Sequence, residues 1–318
     1  MRWGILGTGG IAQQFAADLS YTDHIVEAVG SRNITSANNF PTGNKRYGSY
    51  EELVNDKEID AVYVASLHPY HHDNALLALN AGKPVLVEKP FAMNSRQVKE
   101  MLSLAQSKNL LIAEAMWTRF LPHVREVRKI IESGALGEIV SFHGDHGQDI
   151  PRTRAQRLWD PAMGGGALLD LGVYPIAFSH MIFGAPEKIV SQATLTDEAV
   201  DLHTSAVFHY SSGAQATISC TMAARTPNKA LISGTKGRIE IEGFFFAPSS
   251  FNVIINEEIT HHPNEYKGHG LREQALSFEK ALKDGKKELD ELTHSESLSI
   301  METMDEIRQQ CGVKYATD

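Results

Sequence analysis

The sequence predicts an α/β protein of two domains: a doubly wound parallel sheet, then an α+β domain with a large, mostly antiparallel open sheet. Short apolar strands alternate with helical segments as far as Ala113, which is the pattern of a parallel sheet covered by helices. From Glu187 onward, strand patterns joined by tight turns predict antiparallel pairing. We therefore expect a boundary near Trp117, with a first domain of residues 1–117 and a second of residues 118–318.

Local patterns predict the individual elements. Apolar runs bounded by turn residues predict strands, and helical spacing with capping residues such as Ser49 and Asn94 predicts helices. The first domain is expected to contain strands 3–6, 25–30, 59–65, 85–87 and 110–113, with helices 11–19, 73–80 and 94–108. In the second domain we expect a helix from Pro122, strands 139–143, 202–210, 215–221, 231–233 and 238–241, and helices 271–283 and 295–310.

Composition and charge restrict the class of partner. The 318 residues carry a formal charge of -9 without a Lys/Arg run, which argues against nucleic acid or an anionic membrane as a main partner. The two cysteines form neither a disulfide framework nor a metal pattern, so a reduced, cytoplasmic setting is expected. We expect no membrane-spanning segment, because the apolar runs are judged too short to cross a bilayer.

A glycine-rich turn lies between the first predicted strand and the first predicted helix. Gly7–Ala12 reads Gly-Thr-Gly-Gly-Ile-Ala. In this pattern Gly7 makes the tight turn, Gly9 lets the backbone approach a pyrophosphate, and Ala12 keeps helix and strand close. The free N–H groups of the helix start would hold the anion, so we predict a Rossmann dinucleotide-binding domain, although a purely structural turn is the alternative. The cofactor residues assigned here are Gly7, Thr8, Gly9, Gly10 and Ile11.

The end of the second strand indicates which dinucleotide binds. In this fold an acid at that position binds the ribose hydroxyls of NAD, whereas an arginine suits the 2′-phosphate of NADP. This chain has Ser31 and Arg32 there and no acid. We therefore expect NADP, with NAD less favoured, unless Arg32 is only an exposed loop charge.

Three histidines follow the strand that ends near Ala65. The segment Ser66–His72 reads Ser-Leu-His-Pro-Tyr-His-His, which invites a zinc hypothesis. No Cys or carboxylate with catalytic-zinc spacing accompanies the histidines, so no metal is expected. A position at the carboxyl end of a strand favours contact with cofactor or substrate instead, and we assign Ser66, Leu67, His68 and His71 to the cofactor.

An acid, a base and a proline end the next strand. Val85–Val87 is continuously apolar, as in a strand buried on both faces, and Pro90 cannot continue the ladder. Glu88 and Lys89 therefore reach the carboxyl edge of the sheet, where open α/β folds bind ligands. We assign both to the cofactor and Lys89 also to catalysis; the alternative is a solvated ion pair at a strand end.

The second domain contributes a basic loop and a glycine-led helix. Residues 150–160 carry three arginines and Trp159, so this loop could cover an anionic cofactor, with Trp159 in contact, or could be plain surface. The helix after Gly164–Gly166 places Asp170 and Tyr174 four residues apart, on one face if the helix is regular. These two side chains could also be only a buried hydrogen-bonded pair.

Two further patterns occur in the second domain. His143 and His146 would face opposite sides of a strand, since side chains alternate there, so they are not expected to form a metal site. Phe244–Phe246 is predicted to be an exposed apolar patch on the sheet, which suggests a subunit interface.

Together these motifs resemble the glucose–fructose oxidoreductase/inositol dehydrogenase/MocA family over essentially the whole chain. The glycine-rich turn, the Glu-Lys-Pro tripeptide and the Gly-Gly-Gly-x-Leu-x-Asp helix start carry the resemblance, and the tripeptide is the most specific of them. Residues 116–120 and 165–174 look like the dimeric dihydrodiol dehydrogenase and NADP-dependent D-xylose dehydrogenase branch. Most members have histidine where this chain has Tyr174; that branch also has tyrosine, which puts an inositol dehydrogenase in doubt.

The resemblance implies an NADP-dependent enzyme that acts on an alcohol carbon of a sugar, polyol or trans-dihydrodiol. Tyr174 would be the acid/base, and Lys89 would favour its phenolate, because a free tyrosine with a pKa of about 10 is a weak base at neutral pH. Asp170 would orient either side chain or bind a substrate hydroxyl. Trp117, Arg119 and His71 would line the nicotinamide and substrate side. The resemblance also implies a homodimer through the open face of the second sheet.

Alternative functions remain at this stage. The same fold could reduce a keto-sugar or dicarbonyl with NADPH, since the sequence does not show direction. A non-catalytic NADP-sensing regulator is a more distant alternative, because a sensor has no need of both Lys89 and Tyr174. A purely structural module would leave Lys89 and the basic loop unexplained.

Overall fold

The computed structural model describes all residues from Met1 to Asp318. The strands are β1 Arg2–Leu6, β2 Ile25–Gly30, β3 Lys45–Tyr47, β4 Ala61–Val64, β5 Val85–Glu88, β6 Ile112–Ala115, β7 Ile139–Gly147, β8 Lys188–Leu195, β9 Asp201–His209, β10 Gln215–Thr221, β11 Ala230–Gly234, β12 Gly237–Ile241, β13 Phe251–Ile255 and β14 Glu258–His262. The helices are α1 Gly10–Leu19, α2 Ile34–Asn38, α3 Tyr50–Val54, α4 His71–Asn80, α5 Ser95–Ser107, α6 Pro122–Glu132, α7 Val173–Phe183, α8 Leu271–Lys283 and α9 His294–Cys311.

The first compact unit contains the parallel sheet. Its six strands lie in the order β3-β2-β1-β4-β5-β6, and all neighbouring pairs are parallel. This is the strand order of the dinucleotide-binding fold, in which the order reverses between β1 and β4. The predicted doubly wound sheet is therefore confirmed.

Capping side chains define where the helices of this unit begin. Ser49 accepts a hydrogen bond from the Glu52 N–H at 3.2 Å, and Asn94 accepts one from the Gln97 N–H at 3.0 Å. Each bond satisfies a donor that the first turn of a helix leaves without an intrahelical partner. The helix starts predicted at these two residues are thus confirmed.

The boundary after Trp117 lies where the sequence predicts it, but one later segment belongs to the first unit instead of the second. The first unit comprises Met1–Trp117 together with Gly268–Leu298, and the second comprises Thr118–Lys267 with Ser299–Asp318. Residues 268–298, assigned above to the second domain, therefore belong with the first. One physical reason is that Asp18, a buried residue of α1, binds the start of this segment. Its carboxylate accepts hydrogen bonds from the His269 and Gly270 N–H groups at 2.9 and 2.8 Å.

The second unit is built on an eight-stranded sheet. The strand order is β14-β13-β12-β11-β7-β10-β9-β8; only β7 and β10 are parallel neighbours, and every other pair is antiparallel. The expected large, mostly antiparallel sheet is confirmed. On β7 the residues Phe142, Gly144 and His146 are buried while His143 is exposed, so the two histidines do face opposite sides.

The phenylalanine triplet is not the exposed sheet patch that the sequence predicts. Phe244 is 55% exposed, but Phe245 and Phe246 are 0% and 9% exposed. The triplet lies in a turn after β12, and the Phe245 ring packs edge-on against Phe178 of α7 with 5.6 Å between ring centroids. Because two of the three rings are buried in the core of this unit, the prediction of an exposed apolar patch was wrong; a subunit contact at Phe244 stays a prediction.

One segment also contradicts the expectation that no apolar run has membrane-spanning length. Pro161–Phe183 is long and apolar enough by length and composition, but 78% of its most apolar window is buried inside the protein. Nearly all of α7 is buried, from Val173 to His180. A helix that is apolar on all sides and buried in this way has the environment of a core helix.

Candidate active site

A cleft of about 640 Å³ lies at the carboxyl ends of β1, β2 and β4 in the first unit. This is the edge where the strand order reverses and where folds of this type bind ligands. Seven residues assigned to the cofactor line the cleft: Gly7, Thr8, Gly9, Ser31, Arg32, Ser66 and Leu67. Gly10 and Ile11 lie in the first turn of α1 beside it and are not among the lining residues.

Two glycines of the turn have the roles predicted for them. Gly7 has φ +115°, and a Cβ at this position would lie 2.5 Å from the Ala65 carbonyl oxygen, so only glycine fits. Apart from its two neighbours in the chain, no residue has an atom within 4 Å of the position that a Cβ of Gly9 would take. That open space lies next to the start of α1, whose free N–H groups favour an anion. These residues fit the pyrophosphate of a nicotinamide dinucleotide.

Arg32 supplies the positive charge at the rim of the cleft. Its guanidinium lies over the ring of Tyr70, 4.8 Å from the centroid. Burial raises the pKa of Tyr50, another lining residue, and the charge of Arg32 acts in the opposite direction. Two exposed acids, Glu51 and Asp73, also border the cleft, but neither lies in the segment directly after β2, where an acid would bind the ribose. Neither Tyr50 nor Tyr70 was assigned to the site from the sequence; for Tyr70 the available signal was an aromatic residue six positions after the carboxyl end of β4.

His68 and His71 are buried and are not among the residues that line the cleft. His71 is fully buried, and its Nδ1 and Nε2 atoms lie 2.8 Å from the Pro90 carbonyl oxygen and 3.0 Å from that of Ser66. The ring therefore links the segments that follow β4 and β5. No group of three or more His, Cys, Asp or Glu side chains is placed to hold a metal ion. Direct contact of these histidines with a cofactor stays a prediction.

Glu88 and Lys89 have different surroundings at the end of β5. Glu88 is buried, and its carboxylate accepts hydrogen bonds from the Tyr63 hydroxyl and, at 3.2 Å, from the Lys89 N–H. Lys89 is partly exposed and is followed by a cis peptide bond to Pro90. Glu88 thus supports the backbone of Lys89 through this hydrogen bond. The Lys89 side chain is the candidate catalytic group of this unit.

In the second unit, Asp170 lies on an irregular helical turn. Leu168–Gly172 forms a π-turn that leads directly into α7, where Tyr174 is the second residue. The turn is held on β7, where the buried His146 donates from Nδ1 to the Leu171 carbonyl oxygen at 3.2 Å. Turns of this kind occur often at functional sites. The regular helix considered in the sequence analysis is therefore replaced by a π-turn, with Pro175 in the first turn of α7.

Tyr174 lies in an aromatic cluster. Its ring is 4.9 Å from that of Phe246 and 5.3 Å from that of His146, measured between centroids, and it is only 6% exposed. Phe246 in turn stacks on His146 at 3.9 Å. Neither His146 nor Phe246 was predicted to belong to the site. The alternation along β7, which puts His146 on the buried face with Phe142, was the available signal for the histidine.

Asp170 has an ion-pair partner in the basic loop. The Arg157 guanidinium donates to the Asp170 carboxylate at 3.1 Å. Trp159 Nε1 donates to the Ile150 carbonyl oxygen at 3.2 Å, so the indole closes the loop on itself. The sequence left open whether this loop covers a cofactor or is plain surface. The structure adds a further role, because one of the loop's arginines holds Asp170. Contact of Trp159 with a cofactor stays a prediction.

Trp117 and Arg119 lie in the short helical turn Trp117–Phe120 at the boundary between the units. Arg119 is buried and donates to the Ala177 carbonyl oxygen of α7 at 3.2 Å. Burial, with a smaller effect of the Arg119 charge, lowers the pKa of His180 to about 3, so that this buried histidine is neutral at physiological pH. A structural role is thus established for Arg119, and substrate contact by Trp117 or Arg119 stays a prediction.

Comparison with known proteins identifies the family. Residues 1–115 match the model described as an oxidoreductase family with an NAD-binding Rossmann fold, and residues 124–240 match the GFO/IDH/MocA C-terminal domain. The chain belongs to the GFO/IDH/MocA oxidoreductase family. It is similar over 99% of each chain to the trans-1,2-dihydrobenzene-1,2-diol dehydrogenase of Xenopus laevis, with 38% identity. The Mus musculus protein of the same name is 34% identical over 100% of this chain and 99% of its own.

Solved structures agree with this family assignment. A 3-ketoreductase from Actinomadura kijaniata, in complex with NADP and TDP-benzene, is 26% identical, with a TM-score of 0.87 over 98% of each chain. An aldose-aldose oxidoreductase from Caulobacter crescentus has a TM-score of 0.88 over 98% of this chain and 97% of its own at 20% identity, which shows the shared fold alone. The family members named here are dehydrogenases and reductases, so this protein is an oxidoreductase that acts on CH–OH groups with a nicotinamide cofactor.

Proposed function

We propose that this protein is an NADP-dependent dehydrogenase of a sugar, polyol or trans-dihydrodiol, with Tyr174 as its acid/base and Lys89 as the assisting cation. The observation that carries the proposal is the full-length similarity to proteins named dihydrodiol dehydrogenase. Two structural features support it. The first unit has a dinucleotide cleft with Lys89 at a neighbouring strand end, and the second has Tyr174 next to the turn that carries Asp170.

The chemistry divides between cofactor and protein. Bound NADP supplies a hydride acceptor, and the protein must take the proton of the substrate hydroxyl. Tyr174 suits this role because its hydroxyl can accept that proton as a phenolate and donate it in reverse. A phenolate needs a nearby cation at neutral pH, and Lys89 is the candidate. Asp170, held by Arg157, would accept a hydrogen bond from a second substrate hydroxyl.

NADP rather than NAD is proposed because of the end of β2. Ser31 and Arg32 line the cleft at that end, and no acid follows the strand there. A guanidinium forms paired hydrogen bonds with a phosphate, whereas an acid at that position would bind ribose hydroxyls. The NADP in the Actinomadura kijaniata structure adds support from a related protein.

The direct test is a titration followed by a substrate panel. Purified protein is titrated with NADP and NAD, and reduction of the bound dinucleotide is followed with aldopentoses, aldohexoses, inositol and trans-dihydrodiols. Turnover with NADP and a sugar or diol is the expected result and defines the substrate class. Tight NADP binding without turnover in either direction would contradict the dehydrogenase and favour a sensor.

A reductase is the second candidate, and one observation favours it. The related protein from Actinomadura kijaniata is a 3-ketoreductase, so the family fold also serves carbonyl reduction. The same residues would act in reverse, with Tyr174 donating its proton to the carbonyl oxygen. NADPH oxidation with a keto-sugar or dicarbonyl, faster than the reverse reaction with any alcohol of the panel, would favour the reductase.

The open face of the second sheet is proposed as a homodimer interface. A groove of about 420 Å³ lies on the sheet and is lined by residues of β7, β10, β11 and β12. His143 and Thr217 on this face are exposed, and strand alternation places their buried neighbours on the other face. A sheet face that leaves such side chains exposed suits association with a second copy of the same face.

A further inference from the structure

The carboxyl group of Asp201 is a buried ionisable group that the proposed chemistry does not use. Asp201 is the first residue of β9 and is 0% exposed. Its Oδ2 atom accepts a hydrogen bond from the Leu168 N–H at 2.7 Å and another from the Thr204 hydroxyl at 2.9 Å. Burial raises the pKa of Asp201 to about 7, although both hydrogen bonds lower it. A carboxyl group kept in the core at such a desolvation cost needs a reason.

The glycine-rich segment makes room for this carboxyl group. Gly166 has φ +111°, and a Cβ at this position would lie only 2.1 Å from Asp201 Oδ1. Any other residue would therefore be strained in its backbone and would displace the carboxylate. The third glycine of the triplet is thus matched to Asp201, which gives a physical reason for glycine at that position.

Asp201 holds the first residue of the π-turn, and two other strands hold the rest of it. His146 of β7 binds the Leu171 carbonyl oxygen at 3.2 Å. A Cβ on Gly172 would lie 2.9 Å from the Cys220 sulfur of β10, so the end of the turn lies directly against that strand. The turn that carries Asp170 and leads into Tyr174 is therefore fixed at its start by the carboxyl group of Asp201 and at its end by β7 and β10.

We propose that Asp201 is a positioning residue for the active site, because its carboxylate fixes the π-turn that orients Asp170 and Tyr174. The inference rests on the proposed role of Tyr174 in proton transfer. Asp201 itself touches no substrate in this scheme and acts through the backbone of Leu168. Displacement of a catalytic group by about 1 Å can reduce the rate roughly 100-fold, so loss of this bond should be visible in kcat.

The test compares Asp201→Ala with Asp201→Asn, which keeps an acceptor oxygen for the Leu168 N–H. We expect Asp201→Ala to lower kcat by about 10- to 100-fold, with the Kd for NADP unchanged because the cofactor cleft lies in the other unit. Asp201→Asn should recover most of the lost kcat.

Gly166→Ala, which displaces the carboxylate without removing it, should reduce kcat as Asp201→Ala does. Asp60→Ala is the matched control, because that carboxylate accepts the Arg2 N–H at 2.7 Å instead of an N–H of the turn.

A second readout separates this inference from the proposed function. Protein labelled with 3-fluorotyrosine gives a fluorine resonance for Tyr174, assigned from its absence in Tyr174→Phe. We expect Asp201→Ala and Gly166→Ala to shift this resonance and Asp201→Asn to leave it in place. A shift without a change in kcat would contradict the role of Tyr174 and retain the positioning role. An unchanged resonance in folded Asp201→Ala, or equal loss of kcat in Asp201→Asn and Asp201→Ala, would overturn the positioning role. If Asp201→Ala does not fold, Asp201→Ser, whose shorter side chain withdraws the acceptor from the Leu168 N–H, decides by the same criteria, because Gly166→Ala also strains its own backbone.

Discussion

Replacing Tyr174 by phenylalanine removes one oxygen atom and keeps the ring that packs on Phe246 and His146. We expect Tyr174→Phe to lower kcat roughly 10²- to 10⁴-fold, the usual contribution of a general acid/base. The Kd for NADP should stay within about twofold of the wild-type value, since the cleft lies in the first unit. Tyr210→Phe is the control, because that buried hydroxyl pairs with Ser179 at 2.6 Å. Equal kcat values for Tyr174→Phe and wild type would rule out the assignment.

Arg32 allows a separate prediction about cofactor choice. A hydrogen bond to a charged group contributes about 1.5–3 kcal/mol, so Arg32→Ala should weaken NADP binding by roughly 10- to 100-fold. Binding of NAD, which lacks the 2′-phosphate, should change little. Fluorescence titration of both dinucleotides measures the difference, with Arg96→Ala on the exposed face of α5 as a control. Equal weakening of both dinucleotides would mean that Arg32 does not read the phosphate.

At the scale of an element, the start of α8 is capped by a single carboxylate, that of Asp18. Asp18 accepts N–H bonds from His269, Gly270 and Arg272 at the start of this helix. Asp18→Ala should therefore lower the free energy of unfolding by about 1–2 kcal/mol, the upper range for loss of a helix cap. The amides of α8 should then exchange hydrogen roughly tenfold faster, while those of α5 should not change.

The control for this prediction is Asp23→Ala, an exposed acid of the same unit. Surface substitutions of this kind usually change stability by less than about 0.5 kcal/mol. If hydrogen exchange of α8 is the same in Asp18→Ala and Asp23→Ala, the cap does not hold the helix.

The elements that the sequence predicts well are those determined by nearby residues. The strand, glycine turn and helix around Gly7 were predicted to within a residue or two, because each depends on spacing within about ten positions. The contacts of Tyr174 were missed, since His146 and Phe246 approach it from positions 28 and 72 residues away. Asp18 and α8 are separated by some 250 residues. Periodicity carries no information on such pairs, and the same holds for the match between Gly166 and Asp201.

At the scale of the whole molecule, the proposed homodimer gives a mass prediction. One chain has a mass of 35.0 kDa, and we expect light scattering to give about twice that value. Thr217→Arg places a long charged side chain on the open face of the sheet and should shift the protein toward the single-chain mass. Ile259→Glu on the edge strand β14, where the side chain is 68% exposed, should stay dimeric. A wild-type mass of 35 kDa would exclude the dimer.

The composition of the first unit from two separate segments has a consequence during protein synthesis. The strands of its sheet leave the ribosome within the first 117 residues, but α8 follows only after the whole eight-stranded sheet has been translated. Until then the Trp3 ring lacks Phe278, 5.4 Å away in the finished protein, and Asp18 lacks the N–H groups that it binds. The first unit therefore stays incomplete, with apolar surface near Trp3 uncovered, until the second unit has been synthesised. A fragment that stops at residue 117 would remain in that nascent state, with apolar surface open to chaperones and proteases.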